Sequence, residues 1–383
     1  MLHYIPIISF VVVTILQSYA LAQGTQNEPP QTPAADATQF EIKETKNGLT
    51  IEFEGKLFAR YVVNQANKPY LWPIIGPTGK AMTRAYPMEL LPSETKDQRD
   101  HPHHRGLLFG HESVGLQGWS YPRSAKQWAT ILDDNRKLVG GDSWHEKATY
   151  DEHLADANRS VAGKRHLASL ASIKHRKFTS LRATNDSAVV FQSCDHVDRL
   201  GKRFLMEERQ LVFRATDGTR VIDFDQTFIA KDGSVVMEGR KDSGLGIRVP
   251  TTMAIDSGKG GAIMNSDGLR DAAAWGKPAK WCDYNGPVDG EQLGIAFLNH
   301  PSSYRFPTRW HVRNYGLFAA NPFAMKAFDK KLPEGTTTLK QGNKLRLRHR
   351  LIFHDADMKT AEIERAWQQY AKEKPSDESS RKK

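Results

Sequence analysis

Four histidines fall within eleven positions of one polar segment: His101, His103, His104 and His111. Imidazole titrates near neutral pH and also binds metals, so the segment suits either proton transfer or metal ligation. Pro102 excludes a helix here and favours an extended backbone, on which His101 and His103 would share one face. We expect His103 or His104 to be catalytic. The alternative for His101 and His104 is a structural hydrogen bond to a loop carbonyl.

Charged side chains surround these histidines. Arg99 and Asp100 precede them, and Arg105 lies among them. Guanidinium groups oppose a nearby divalent cation, and Asp100 is the one adjacent carboxylate that could offset them. We therefore expect no bound metal and no other cofactor, with a metal site as the alternative. The residues of this segment that we expect to bind substrate are Arg99, His101, Arg105 and His111.

A second polar segment, Arg240 to Pro250, leads into a strand-like run that glycines interrupt. Its glycines would let another backbone or a ligand approach closely. We expect Asp242 to be the catalytic carboxylate, and Lys241 and Arg248 to bind hydroxyl groups. An ordinary exposed turn is the alternative.

A third segment, residues 300–323, mixes aromatic rings with hydrogen-bonding side chains. Such a mixture is typical of a sugar site, where apolar C–H faces and hydroxyl groups must both be contacted. On a strand, His311 and Arg313 would face one way and Trp310 the other. We expect His311 to be a further catalytic candidate, and core packing is the alternative for Trp310 and Tyr315. The residues that we expect to bind substrate here are His300, Trp310, Arg313 and Asn321.

We expect the three segments to line one cleft, because histidines and charged residues interrupt the strand pattern most densely at these places. In acid–base catalysis, one histidine would protonate a ring or glycosidic oxygen while a carboxylate takes a proton. The carboxylates that we consider for this role are Asp100, Asp242, Glu207 and Glu208.

The elements that position these segments are mostly strands. Short apolar and β-branched runs are separated by pairs of residues that favour turns. These pairs are Asn47-Gly48, Asp217-Gly218, Asp232-Gly233, Asp267-Gly268 and Asn285-Gly286. The sequence shows no repeat of fixed period and no alternation of strands with helices. It therefore predicts a mostly β protein folded as a large antiparallel β-sandwich.

Two stretches depart from the strand pattern. Apolar residues at three- and four-residue steps predict a C-terminal helix from Thr360 to Lys372. The polar stretch from Gly140 to Ser169 predicts an inserted loop or short helices. We expect its histidines to be solvated rather than functional; they are His145, His153 and His166.

The N-terminal sequence predicts export. The apolar run Ile5 to Leu16 is too short to span a bilayer, and Ala20-Leu21-Ala22 is typical of a signal-peptidase site. We predict a signal peptide at 1–22, a disordered linker at 23–37, a single domain at 38–373 and a disordered tail at 374–383. The mature protein would be secreted or periplasmic and would need no membrane, with an uncleaved anchor as the alternative. The sequence leaves open whether Cys194 and Cys282 pair.

Charge adds little about partners. The chain has 54 Lys and Arg against 44 Asp and Glu, a net charge of +10, but the two signs are mixed along the sequence. No zinc-finger or RNA-binding motif spacing occurs, so we expect no nucleic-acid partner. We expect the partner to be a carbohydrate or another polar small molecule. The sequence indicates no oligomeric state.

Several motifs in order resemble the bacterial PmoA-like family, which bears the label "methane oxygenase PmoA" and has no known function. The resemblance covers about Tyr70 to Phe353 and implies a galactose-mutarotase-like β-supersandwich, a fold whose other members mostly act on carbohydrates. Two features depart from the family pattern: Asp242 stands where the family usually has Glu, and residues 140–169 look like extra sequence. The motifs are Tyr70-Leu71-Trp72-Pro73, Gly79, Thr83-Arg84, Asp100 to Gly106, Lys241 to Arg248, Trp275-Gly276-Lys277, His300-Pro301 and Arg309 to Phe323.

The family label does not fit this chain, because a particulate methane monooxygenase subunit is an integral membrane protein and no second apolar stretch here approaches a membrane helix in length. We expect instead an exported carbohydrate-active enzyme: an epimerase, mutarotase, lyase or hydrolase. The alternatives are a non-catalytic sugar-binding protein and a His-ligated metalloenzyme or oxygenase.

Overall fold

The strand-like runs pair as antiparallel strands in a computed structural model, which describes Met1 and residues 38–133, 139–156, 159–216, 218–355 and 358–374. The described residues from Thr38 onward form one compact unit. The predicted signal peptide beyond Met1, the linker at 23–37, and the tail beyond Lys374 lie outside the described residues. In the part of the chain described, no helix is both long enough and apolar enough to cross a membrane.

Twenty strands are found in the described residues. The first ten are β1 (Phe40–Thr45), β2 (Gly48–Phe53), β3 (Lys56–Val62), β4 (Tyr70–Ile74), β5 (Leu107–His111), β6 (Val114–Leu116), β7 (Gly140–Gly141), β8 (Ser172–Ala183), β9 (Ala188–Val197) and β10 (Arg203–Thr216). The others are β11 (Thr219–Ile229), β12 (Val235–Met237), β13 (Ser243–Arg248), β14 (Ala262–Asn265), β15 (Trp281–Val288), β16 (Glu291–Asn299), β17 (Arg309–Val312), β18 (Leu317–Asn321), β19 (Thr337–Leu339) and β20 (Lys344–Asp355).

Helices are short and few in the same residues. The α-helices are α1 (Ala125–Leu132), α2 (Asp151–Ala155), α3 (Ser160–Ser169) and α4 (Thr360–Tyr370). The 3-10 helices are Lys147–Tyr150, Ile255–Ser257 and Asp271–Ala274.

The strands form three antiparallel sheets. The first has the order β1-β2-β3-β4-β5-β13-β18-β17, and the second has the order β14-β15-β16-β20-β11-β10-β9-β8. A smaller third sheet has the order β19-β12-β6-β7. Because β5 and β13 are neighbours in the first sheet, the segments that flank them in sequence come close together in space.

Aromatic and aliphatic side chains from the two large sheets share one core. Phe58 of β3 contacts Phe213 of β10 edge-on, with ring centroids 5.5 Å apart. The ring centroids of Phe109 in β5 and Phe228 in β11 lie 5.0 Å apart. These contacts run between sheets, so the two sheets pack face to face as a sandwich. The prediction of a mostly β, antiparallel sandwich is confirmed.

One predicted turn is wrong. Asn285-Gly286 lies inside β15, where Asn285 pairs with Gly294 on one side and Ala262 on the other. A Cβ on Gly286 would meet the Met253 carbonyl oxygen at 2.9 Å, so this glycine permits close backbone approach within a strand.

The stretch Gly140 to Ser169 packs on the outer face of the first sheet, the face away from the second sheet. It contains short helices, as predicted, and it also inserts Trp144 into a buried cluster with Tyr70, Leu108 and Leu317. A Cβ on Gly110 would meet the Trp144 Cα at 2.9 Å, so the glycine in β5 makes room for this contact. The stretch is therefore part of the packed body of the protein.

The C-terminal helix is confirmed at α4 and covers the outer face of the second sheet. Ile363 and Tyr370 are buried there in a cluster with Trp281 and Leu298. Both cysteines are buried free thiols, so the structure contains no bond between Cys194 and Cys282.

Candidate functional site

The first histidine segment is a tight turn rather than an extended strand. His104 N–H donates to the His101 carbonyl at 3.0 Å, and His101 has a φ of 45°. Pro102 takes the second position of this turn, where its fixed φ fits. The rings of His101, His103 and His104 therefore converge, with centroids 4.4 Å apart for His103 and His104 and 4.9 Å apart for His101 and His104. The predicted alternation of these rings between two faces is wrong.

Asp100 anchors the turn to the sheet. Its Oδ1 accepts from Arg84 Nη1 and Arg248 Nη2, both at 2.6 Å, and its Oδ2 lies 2.6 Å from His101 Nδ1. Burial raises the pKa of Asp100, but the His101 hydrogen bond and the two guanidinium charges outweigh burial and lower the pKa to about 2. The carboxylate is thus ionised at neutral pH, and it fixes the histidine turn against the end of β13.

His103 and His104 both favour the neutral imidazole form. Burial lowers the pKa of each well below its usual value. The charge of His145 adds to this effect for His103, and the charges of His103 and Arg248 add to it for His104. Arg248 Nη1 lies 3.2 Å from His104 Nδ1, and a guanidinium can only donate, so His104 carries its proton on Nε2. The prediction that one of these two histidines is the catalytic acid stays a prediction, and their lowered pKa values disfavour it at neutral pH.

His145 is the histidine of the site that favours the charged form. Its Nδ1 lies 2.8 Å from Asp142 Oδ2, while Asp142 Oδ1 accepts the backbone N–H groups of Trp144 and His145. Burial lowers the pKa of His145, but the Asp142 carboxylate outweighs burial and raises the pKa overall. The ring lies 4.6 Å from that of His103. The expectation that His145 is a solvated surface residue is wrong, because its side chain is only 19% exposed.

Asp242 connects the second segment to the third. Its Oδ1 lies 3.8 Å from His311 Nε2. Trp275 Nε1 donates to His311 Nδ1 at 3.0 Å, so the proton of the neutral His311 ring is on the nitrogen that faces Asp242. Burial, followed by the charges of Lys241 and Arg313, lowers the pKa of His311 to about 3.

Glu112 is a carboxyl group that the sequence analysis missed. Its backbone N–H donates to the Asp242 carbonyl at 3.0 Å, and its side chain is 19% exposed. Burial is the main cause that raises the pKa of Glu112 to about 7, and the charges of Asp142 and Asp242 add to this rise. The Arg240 guanidinium opposes it, with its Nη1 4.0 Å from Glu112 Oε1. Among the described residues no group donates a hydrogen bond to this carboxylate. Such a group can give or take a proton at neutral pH.

Aromatic rings border the site on the side of the third segment. The Tyr315 ring stacks on His101, with centroids 5.0 Å apart and planes 5° apart. The Arg313 guanidinium lies 5.7 Å from the Trp275 ring and 5.5 Å from the Tyr315 ring. Since Arg248 contacts His104, and Asp242 approaches His311, all three predicted segments meet at one site.

Two predicted binding residues lie elsewhere. Trp310 is fully buried between the sheets, 5.2 Å from Phe297, because strand alternation turns it away from His311. His300 follows β16 and lies near the C-terminal helix, where its Nε2 is 3.1 Å from the Glu373 carbonyl oxygen and its ring is 4.9 Å from that of Tyr370. Neither residue can contact a ligand at the histidine turn.

Four other predicted binding residues have partners within the protein. His111 points into the interior, where its Nδ1 accepts the Ser113 N–H at 3.1 Å. Asn321 donates from Nδ2 to the carbonyls of Arg240 and Lys241, each at 2.9 Å, and so holds the second segment. The other two are Arg99, which donates to the Leu91 carbonyl at 2.7 Å, and Arg105, which pairs with Glu146 at 2.9 Å.

The carboxylate Glu207 is also excluded from the site. It is fully buried in the sandwich interior, where Arg209, His196 and Gln226 surround it. Glu208 is the next residue on β10 and projects to the opposite face of the second sheet.

No group of three or more His, Cys, Asp or Glu side chains in the described residues has the arrangement of a metal site. A cleft of about 490 Å³ lies next to Arg84, the residue that anchors Asp100. Trp72, Glu94 and Thr251 are among its lining residues, and none of the histidines of the site lines it.

Solved structures with a similar chain path include two galactose mutarotase-like proteins and an α-galactosidase. A galactose mutarotase-like protein from Clostridium acetobutylicum has 11% identity and a TM-score of 0.36, with 82% of this chain and 98% of that chain covered. One from Lactobacillus casei has 11% identity and a TM-score of 0.33, with coverage of 82% and 100%. The α-galactosidase from Lactobacillus brevis has 11% identity and a TM-score of 0.36, and the match covers 84% of this chain and 40% of the enzyme.

A family model, rather than a relative of known activity, places the chain in a family. No curated protein matches it. Residues 48–368 match the family model described as "Family of unknown function (DUF6807)", and this range includes every residue of the site described above. The chain therefore belongs to this family of unknown function.

Proposed function

We propose that the protein is a carbohydrate-active enzyme that works by acid–base catalysis. The observation that carries the proposal is the grouping of Glu112, Asp242 and His145 beside partly buried aromatic rings. Glu112 is a carboxyl group with a pKa of about 7. Asp142 raises the pKa of His145 and so favours the charged form of this histidine. A site with titrating groups and aromatic borders suits a substrate that has both hydroxyl groups and apolar C–H faces.

Each group has a defined part in this proposal. Protonated Glu112 donates its proton to a ring or glycosidic oxygen of the substrate, and Asp242 accepts a proton from a substrate hydroxyl or carbon. The His145 imidazolium stabilises negative charge that develops on a substrate oxygen. His103, a neutral ring 4.6 Å from His145, offers a hydrogen bond from the wall of the site. An epimerase, mutarotase, lyase or hydrolase would each need this proton transfer.

Oxidation is not part of the proposal, although the label of the PmoA-like family would suggest it. The histidine turn is held by two guanidinium groups, Arg84 and Arg248, which both bind Asp100 at 2.6 Å. These positive charges next to the imidazoles oppose a divalent cation.

The first experiment is a screen of the purified protein against monosaccharides, glycosides and polysaccharides, with elemental analysis of the same sample. We expect turnover of one sugar class and its loss in Glu112→Gln. The matched control is Glu44→Gln, because Glu44 is an exposed strand residue far in sequence from the site. Binding without turnover would instead indicate a sugar-binding protein. Stoichiometric zinc, iron or copper that disappears in both His103→Ala and His104→Ala would indicate a metalloenzyme.

We also propose that the enzyme acts outside the cytoplasm, after removal of residues 1–22. Expression of the full chain in a bacterial host and sequencing of the mature N-terminus would test this. The expected first residue is Gln23. Recovery of the intact chain from the membrane fraction would contradict cleavage.

A further inference from the structure

Two cationic side chains at the outer edge of the site, Arg313 and Lys241, have no close acidic partner among the described residues that fully neutralises their charge. Arg313 is exposed, and within the described residues it forms no ion pair. Lys241 is 57% exposed, and its Nζ lies 3.7 Å from Asp242 Oδ2. An exposed pair at this distance is weak, so the Lys241 charge stays available to a ligand.

The same two cations converge on His311. After burial, the charges of Lys241 and Arg313 are the largest causes that lower the pKa of this ring. Asp242, 3.8 Å from His311, is the carboxylate that accompanies them. Lys241 and Arg313 therefore lie beside one carboxylate, that of Asp242, at His311.

The Arg313 guanidinium is held in place while its donors stay free. Cation–π contacts to Trp275 and Tyr315, at 5.7 and 5.5 Å, orient the group. In the described part of the chain, the side-chain N–H groups of Arg313 donate to no other residue. A guanidinium presents these donors as a planar fork that matches the oxygens of a carboxylate or a sulfate.

We propose that the site takes sugars that carry an anionic substituent, a carboxylate or a sulfate ester, which Arg313 and Lys241 bind. This inference rests on the proposed function and narrows its substrate class. The sugar ring would contact Trp275 and Tyr315, whose side chains are partly buried. A neutral sugar would leave the positive charge of the edge uncompensated.

The test measures the affinity of the full-length protein by calorimetry for three matched sugar sets. The neutral set is glucose and galactose, the carboxylate set is glucuronate and galacturonate, and the sulfate set is glucose 6-sulfate and galactose 6-sulfate. We expect one anionic set to bind about tenfold more tightly than the neutral set at low salt, because a charge-assisted hydrogen bond contributes about 1.5–3 kcal/mol. This preference falls as salt is added.

Variants then assign the preference to the edge of the site. Arg313→Gln should reduce the preference to about twofold or less, Lys241→Gln should reduce it partly, and Arg313→Lys should retain part of it. The matched control is Arg365→Gln, because Arg365 is 69% exposed on α4, away from the site. This control should leave the preference unchanged.

Three results would count against the inference. Equal binding of neutral and anionic sugars, with turnover intact, would overturn the anionic preference and leave the proposed function standing. A preference that survives Arg313→Gln and Lys241→Gln unchanged would overturn the assignment to these residues. Absence of binding and of turnover for every sugar would overturn both proposals. A preference confined to carboxylates or to sulfates supports the inference and identifies the source of the charge.

Discussion

At the scale of single residues, the Glu112 side chain makes the folded protein less stable at neutral pH than at acidic pH. Its folded pKa of about 7 lies above the ordinary glutamate value of 4.5, so stability falls as pH rises from about 4.5 to about 7, and the loss is complete above that range. We predict that Glu112→Gln unfolds at the same denaturant concentration as the wild type at pH 4. At pH 8 the variant should be more stable by about 1–3 kcal/mol. Urea unfolding at the two pH values measures this.

Glu44→Gln serves as the control for this experiment, because Glu44 is exposed. It should change stability little at either pH. A Glu112→Gln variant that is less stable than the wild type at pH 8 would contradict the raised pKa of Glu112, which burial causes first and the Asp142 and Asp242 charges increase.

His145 should titrate differently from its histidine neighbours. Its pKa is raised because Asp142 outweighs burial, whereas burial lowers those of His103 and His104. Histidine NMR signals, assigned with single His→Gln variants, should show His145 losing its proton above about pH 6.5, while the other two stay neutral down to acidic pH. The His145–Asp142 pair then stabilises the fold fully below about pH 6.5 and loses this effect as pH rises through the folded pKa. A neutral His145 at pH 6 would contradict this account.

At the scale of elements, Trp144 holds the 140–169 stretch on the first sheet. It is buried against Tyr70, Leu108 and Leu317. We predict that Trp144→Ala lowers the free energy of unfolding by about 3–5 kcal/mol and exposes the stretch to proteolysis. Trp128→Ala, at a half-buried position of α1, should have a smaller effect.

Turnover should fall in Trp144→Ala, because His145 is the next residue. Wild-type stability in Trp144→Ala would show that the indole does not hold this stretch.

His300 tests whether the sequence motif or the structure identifies the site. Its ring bridges Arg348 and the Glu373 carbonyl, below the C-terminal helix. We predict that His300→Gln leaves kcat and KM unchanged and lowers stability by about 1–2 kcal/mol, the cost of leaving buried polar partners unsatisfied. A loss of turnover in a variant that is folded normally would return His300 to the list of site residues.

Strand alternation could have placed several side chains from the sequence alone. Leu107 and Phe109 face the core, so His111, two residues later, does too. The same rule puts Trp310 on the core face of the first sheet and His311 on the opposite face. The turn at His101 could not be derived this way, because Pro102 fits either an extended chain or a turn. The signal for His145 is the Asp142-x-x-His145 spacing, which closes a local hydrogen-bonded turn. The role of His145 was missed because residues 140–169 lack the alternation that identifies a strand.

At the scale of the whole molecule, the sandwich was predictable and the composition of the site was only partly so. Local patterns indicate strands, but only the pairing of β5 with β13, and of β13 with β18, brings residues 100–112, 240–248 and 309–315 together. Such pairing joins positions far apart in sequence, which one sequence does not specify. For this reason Glu112, directly after β5, was missed although it adjoins a segment that was singled out.

The most direct test of acid catalysis by Glu112 is the pH dependence of kcat/KM for the sugar that the screen identifies. With Glu112 protonated in the active form, the account predicts that kcat/KM of the wild type falls above about pH 7. Glu112→Gln should lower kcat/KM by about 10²- to 10⁴-fold and remove this fall, while His300→Gln keeps the wild-type profile. Full turnover in Glu112→Gln, with the same fall above pH 7, would contradict the account.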